Sequence, residues 1–169
     1  MKSGAEAVGG FGGVRVKDGL FLGDFSAAED FDFLEANKIS FVVNCNAREF
    51  PNRFAARGVR YLDLAWRERS PERVLALSER QLPTTEQFLL QAEEAGEAAL
   101  VCCSTGQNRA LSVVVLLLMR RLRWSFYKTL QFLDSRRPNL EIKKGYFKAL
   151  KQAAETFEAR LACSRGWEE

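Results

Sequence analysis

Two residues of contrasting chemistry stand six apart near the middle of the chain, Cys103 and Arg109, with Gly106 between them. A thiolate is a nucleophile and a metal ligand, and a guanidinium is a planar fork that holds two oxygens of a phosphate or carboxylate. The glycine allows the tight turn that close backbone approach to a ligand requires. A thiolate at the floor of an anion cradle is suited to attack on phosphorus. The alternatives for these residues are a buried structural cysteine and a helix-start ion pair. An arginine in the first helical turn opposes the helix dipole unless an anion is present, which favours anion binding.

The flanking residues explain how such a site would be held. Ala98–Cys102 is a short apolar run that reads as a buried strand, and Leu111–Met119 is apolar on every side, as in a helix at the centre of a core. Cys103 therefore falls on a strand-to-helix turn, facing the N–H groups that open a helix. The positive field there favours thiolate over thiol.

The remaining chain supplies a scaffold. Val14–Val16 and Leu20–Leu22 read as a hairpin around Asp18-Gly19. Ser26 and Glu29 form a capping box that starts a helix to about Ala36, with Phe31 and Leu34 toward the core. Phe41–Val43 and Val59–Leu64 are further strands. Ala65–Pro83 is a charged, irregular connection, a lid or a loop with a short helix. Thr84 with Gln87 predicts a helix ending before Gly96, and Ser125 caps another with Phe126, Leu130 and Leu133 on one face. A last helix runs from about Lys144 to Leu161, with Phe147, Leu150, Ala154, Phe157 and Leu161 as its apolar stripe. Alternation of strands and helices predicts an α/β fold with a central, mostly parallel sheet flanked by helices, and ligands bind beyond the carboxyl ends of such strands. The expected organisation is a flexible segment at 1–13, one domain at 14–162 and a tail at 163–169.

Composition narrows the chemistry. The chain has 169 residues, 47% apolar, no histidine, four cysteines and a net charge of +3. Without histidine, imidazole acid–base catalysis is excluded. The cysteines lack paired spacing, so no metal site is expected. The mild charge offers nucleic acid little footprint. The N-terminus is polar and glycine-rich, unlike a signal peptide, the longest apolar run is about half a membrane span, and Lys2 stands at the place where N-myristoylation requires glycine. The expected setting is cytoplasmic, without membrane association.

At this point the chain resembles the dual-specificity branch of the cysteine-dependent protein tyrosine phosphatases, over roughly residues 14–150. The resemblance rests on Val101-Cys102-Cys103-Ser104-Thr105-Gly106-Gln107-Asn108-Arg109, on Phe41-Val42-Val43-Asn44-Cys45 and Val59-Arg60-Tyr61-Leu62, and on Arg137-Pro138 followed by Gly145-Tyr146. It implies a three-layer α/β/α phosphatase fold and a reaction without cofactor or metal, on phosphorylated protein or peptide. It implies that Cys103 is the nucleophile, that Arg109 clamps phosphate, and that the amides of Ser104, Thr105, Gly106, Gln107, Asn108 and Arg109 cradle its oxygens. The acid position falls at Glu68, with Asp63 the other nearby carboxylate. The chain departs from the family pattern at Cys102 (usually histidine), Ala110 (usually serine or threonine), Glu68 (usually aspartate) and Lys143 (usually asparagine). Those departures leave open a pseudophosphatase that binds phosphorylated partners without turnover. Gly106-x-Asn108-Arg109 also resembles the loop of RNA 5′-triphosphatases.

Overall fold

The short β-rich apolar runs of the sequence come together as one five-stranded sheet. A computed structural model of the chain describes residues 12–64, 70–137 and 140–165. The strands are β1 Gly13–Lys17, β2 Leu20–Gly23, β3 Ile39–Asn44, β4 Arg60–Asp63 and β5 Ala98–Cys102, in the spatial order β1-β2-β5-β3-β4. β1 is antiparallel to β2, with Gly19 at φ +73° in the turn between them, and every other pairing is parallel. β5 lies at the centre. Cys102, its last residue, is in register with Gly23 of β2 on one side and Asn44 of β3 on the other, and Asn44 in turn with Asp63 of β4. All four parallel strands thus deliver their carboxyl ends to one edge.

Side chains alternate across the sheet, as the twofold strand period requires. Phe21, Val42, Ala98, Leu100 and Cys102 pack on the side of two short helices, α1 Phe25–Ala28 and α2 Phe31–Ala36, around Leu34. Leu22, Phe41, Val43, Ala99 and Val101 pack on the opposite side, beneath the remaining helices. Those are α3 Arg73–Ala76, α4 Leu82–Glu94, α5 Arg109–Leu122, α6 Phe126–Arg136 and α7 Lys144–Arg165. The fold is a three-layer α/β/α, as the sequence predicts.

α5 is the keystone of the thicker layer. Its residues Arg109 through Met119 are all buried, and Arg120 and Arg121 emerge only in the last turn, where cations suit the dipole. They pair with Glu86 and Glu93 of α4 at 2.8 and 2.5 Å. Burial of each leucine or valine on this helix contributes about 1.5–3 kcal/mol, which fixes the helix and the loop before it against the sheet.

Several local expectations need correction. The first helix is capped by Asp24, not Ser26. Asp24 Oδ1 accepts from the Ala27 amide at 3.2 Å and from the Ser26 hydroxyl at 2.6 Å, so the serine serves the cap instead of forming it. Helicity then breaks, and α2 restarts on Asp30, whose carboxylate accepts from the Phe33 amide. Thr84 does not start a helix either: α3, a π turn at Leu77–Gln81 and α4 follow without interruption, and Pro83 sits in the first turn of α4. The π turn accommodates the extra residue where the two helical pieces join. Ser125 does cap α6, through the Lys128 amide. On α7, Leu150 and Ala154 are buried as expected, but Phe147, Phe157 and Leu161 are only half-buried, and Tyr146 and Ala153 complete the core face. That helix runs to Arg165, past the expected Leu161. The expected lead-in at 1–13 lies mostly outside the described residues, though Gly13 already belongs to β1.

Candidate active site

The loop Cys103–Asn108 leaves β5 and turns directly into α5. The turn needs a positive φ, and Gly106 supplies it at +68°. That conformation aims the Gly106 amide at Cys103 Sγ, 3.1 Å away, a partner suited to a thiolate. Cys103 is itself almost wholly buried, with its own amide on the Gly23 carbonyl at 3.4 Å. The sulfur is thus at the floor of the loop.

Arg109 is the first residue of α5 and is buried to 1% exposure, yet it is charged. Its Nη2 donates to Ser104 Oγ at 3.2 Å and its Nη1 to the Cys45 carbonyl at 3.5 Å. The guanidinium therefore folds back across the loop that it follows. Asn108 anchors the loop on the other flank: its Oδ1 accepts from the Lys143 amide at 2.8 Å, and its carbonyl accepts from Ser112 Oγ at 2.7 Å. Lys143, where the family pattern has asparagine, thus contributes through its backbone.

Burial pushes the Cys45 thiol well up, and the neighbouring Cys103 and Cys102 push it further. Cys102 is raised in the same way, by burial first and then by Cys103 and Asp24. Both remain protonated near neutrality. Cys102 packs its sulfur toward the α1–α2 side of the sheet, with Sγ 3.6 Å from the Val43 carbonyl.

The chain from residue 20 to residue 156 matches the family described as dual specificity phosphatase, catalytic domain. The chain belongs to the dual-specificity phosphatase family. Human dual specificity phosphatase 28 is 31% identical over 153 residues, covering 90% of this chain and 83% of that protein. Dual specificity protein phosphatase 1B of Arabidopsis thaliana is 26% identical over 147 residues, covering 85% and 83%. Among solved structures, that of a mouse dual specificity phosphatase complexed with zinc tungstate superposes with a TM-score of 0.73 at 27% identity, covering 95% of this chain and 96% of that one. Human DUSP28 gives 0.72 at 29% identity, covering 86% and 95%.

In this phosphatase Cys103, Ser104, Thr105, Gly106, Gln107, Asn108 and Arg109 form one continuous turn between β5 and the start of α5. The structure distinguishes among the amides. That of Gly106 meets the sulfur, that of Gln107 lies 3.4 Å from Thr105 Oγ1, and that of Ser104 is directed to Asn46 Oδ1 at 3.3 Å. Glu68 lies outside the described residues. Asp63 is occupied elsewhere: both its oxygens accept from Asn52 Nδ2, at 2.9 and 3.2 Å, on a strand in register with β3.

Sequence reasoning missed the asparagines. Asn52 Oδ1 accepts from Asn44 Nδ2 at 3.0 Å, Asn44 Oδ1 accepts from the Asn46 amide at 2.9 Å, and Asn46 reaches the loop. Asn44 and Asn46 are 2% and 0% exposed, so each must be hydrogen-bonded to be tolerated. The available signal was two asparagines flanking Cys45 directly after a buried apolar strand.

Proposed function

We propose that this dual-specificity phosphatase hydrolyses phosphotyrosine, and phosphoserine or phosphothreonine, in protein substrates through a phosphocysteine on Cys103. The observation that carries the reading is the Gly106 N–H on Cys103 Sγ, in a loop that Arg109 closes from the start of α5. The thiolate attacks phosphorus, the S–P bond forms and the ester P–O bond breaks. Arg109 and loop amides other than those of Ser104 and Gly106 hold the three remaining oxygens and stabilise the charge that develops on them. Glu68, the family-aligned acid, gives its proton to the leaving alcohol or phenol oxygen. It then takes a proton from the water that attacks phosphorus, releasing phosphate and restoring the thiolate.

Neither Cys45 nor Cys102 competes as nucleophile, because burial keeps both as thiols. We assign the catalytic unit to residues 14–162, with no cofactor. We place it in the cytoplasm, on the ground that Cys45, Cys102, Cys103 and Cys163 are all free thiols, as in a reducing compartment. No helix among the described residues is long and apolar enough to cross a membrane.

The test is hydrolysis of a small aryl phosphate, then a panel of phosphotyrosine peptide, phosphoserine peptide, phosphoinositide and RNA 5′-triphosphate. Activity on the aryl phosphate and the phosphopeptides, lost in Cys103→Ser, is expected. Phosphopeptide binding without turnover, or turnover confined to the last two substrates, would contradict the proposal.

A further inference from the structure

A carboxylate already stands beside the arginine. Glu49 Oε1 lies 4.0 Å from Nη1 of Arg109. The placement is built into the fold. Asn46 Nδ2 donates to Glu49 Oε2 at 3.1 Å, and the amides of Glu49 and Phe50 donate to the Asn46 carbonyl at 2.8 and 3.0 Å. The Phe50 ring, next in the chain, stacks on Phe25 of α1 with centroids 3.7 Å apart. The turn that carries Glu49 is therefore pinned at both ends. The two partners differ in freedom: the arginine side chain is 1% exposed and the glutamate side chain 50%. Arg109 is the fixed member, and Glu49 is the one that can swing into solvent.

We propose that Glu49 is a specificity-determining counter-ion: its carboxylate neutralises Arg109 in the empty site, and an incoming phosphate group must displace it. The inference rests on the reading of Cys103–Arg109 as a phosphate cradle. A phosphate dianion on the guanidinium fork brings a second anion within a few ångströms of Glu49, and like charges at that distance repel appreciably even near the protein surface. Glu49 thus lowers the affinity of the cradle for anions in general. It leaves tight binding to substrates that gain contacts beyond the phosphate.

The experiment is calorimetric titration of the intact chain with inorganic phosphate, comparing the wild type with Glu49→Gln and Glu49→Ala. Glutamine keeps an oxygen for Asn46 Nδ2 and removes the charge, and alanine removes both. Both variants are expected to bind phosphate about three- to tenfold more tightly at 0.1 M salt. The gain should shrink toward unity at 1 M salt, as the screening length falls from about 10 Å to about 3 Å. Affinities equal to or weaker than wild type in Glu49→Gln, at both salt concentrations, would overturn the proposal and make Glu49 a positioning residue for Arg109. Absence of phosphate binding in all three proteins would overturn the cradle reading and this inference with it.

Discussion

Asn46 Oδ1 accepts the backbone amide of Ser104 at 3.3 Å across 58 residues of sequence. Asn46 is wholly buried, so this part-buried bond ties the first residue after Cys103 to the turn just beyond β3. Removing the side chain takes this partner from the part-buried Ser104 amide, which costs about 1 kcal/mol. Asn46→Ala is therefore expected to lower the melting temperature and to reduce kcat/KM on an aryl phosphate at temperatures where the variant is still folded. Thermal melting and steady-state kinetics on the same preparation check both parts.

Gly106 carries the turn. At φ +68° a side chain adds about 1–2 kcal/mol of strain, and relief of that strain moves the amide off Cys103 Sγ. Gly106→Ala is expected to lose most activity and most phosphate affinity while α5, held by its own burial, keeps the fold. Circular dichroism together with phosphate titration separates the two effects.

Ala110 follows Arg109 and has no hydroxyl to assist breakdown of the phosphocysteine. Turnover is expected to be limited by that second step, giving a burst of leaving group in rapid-mixing experiments. Ala110→Ser should raise the steady-state rate and diminish the burst. The site is fully buried and the change adds one oxygen, so a modest loss of stability is expected alongside.

Cys45 and Cys102 set a limit on alkaline stability. Both thiols are raised in the folded chain, chiefly by burial. Above the ordinary thiol range, about pH 8.5, the unfolded chain loses these protons and the folded chain keeps them. The folded state then binds more protons, so stability falls as pH rises. It is fully present below that range and lost above it, by up to about 1.4 kcal/mol per pH unit for each thiol. The melting temperature should decline from pH 8.5 to 10, and less steeply in Cys45→Ala/Cys102→Ala. An equal slope in that double variant would contradict the assignment.

The part of the site that lies within one stretch of chain is legible from residue types alone. Strand, turn and helix over Ala98–Leu122 follow one another without a break, so spacing and apolar pattern suffice for Cys103, Gly106 and Arg109. The capping residue of α1 is less legible, because Asp24 and Ser26 both have suitable side chains, and the choice depends on which is buried at the sheet edge. The irregular stretch before α4 misleads for a related reason: Thr84 has a cap's side chain, but the chain is already helical from Arg73. The asparagine chain from Asp63 to Ser104 is the least legible: Asn44 and Asn46 are near neighbours in sequence, but Asp63 and Ser104 come within reach of that chain only because β4 and β5 lie beside β3.

The phosphocysteine on Cys103 is tested most directly by mass spectrometry of the chain quenched during turnover of an aryl phosphate. One phosphoryl group is expected on the peptide that carries Cys103, more of it in the wild type than in Ala110→Ser, and none in Cys103→Ser. Hydrolysis that persists in Cys103→Ser, or turnover with no phosphoryl group on Cys103, would contradict that expectation.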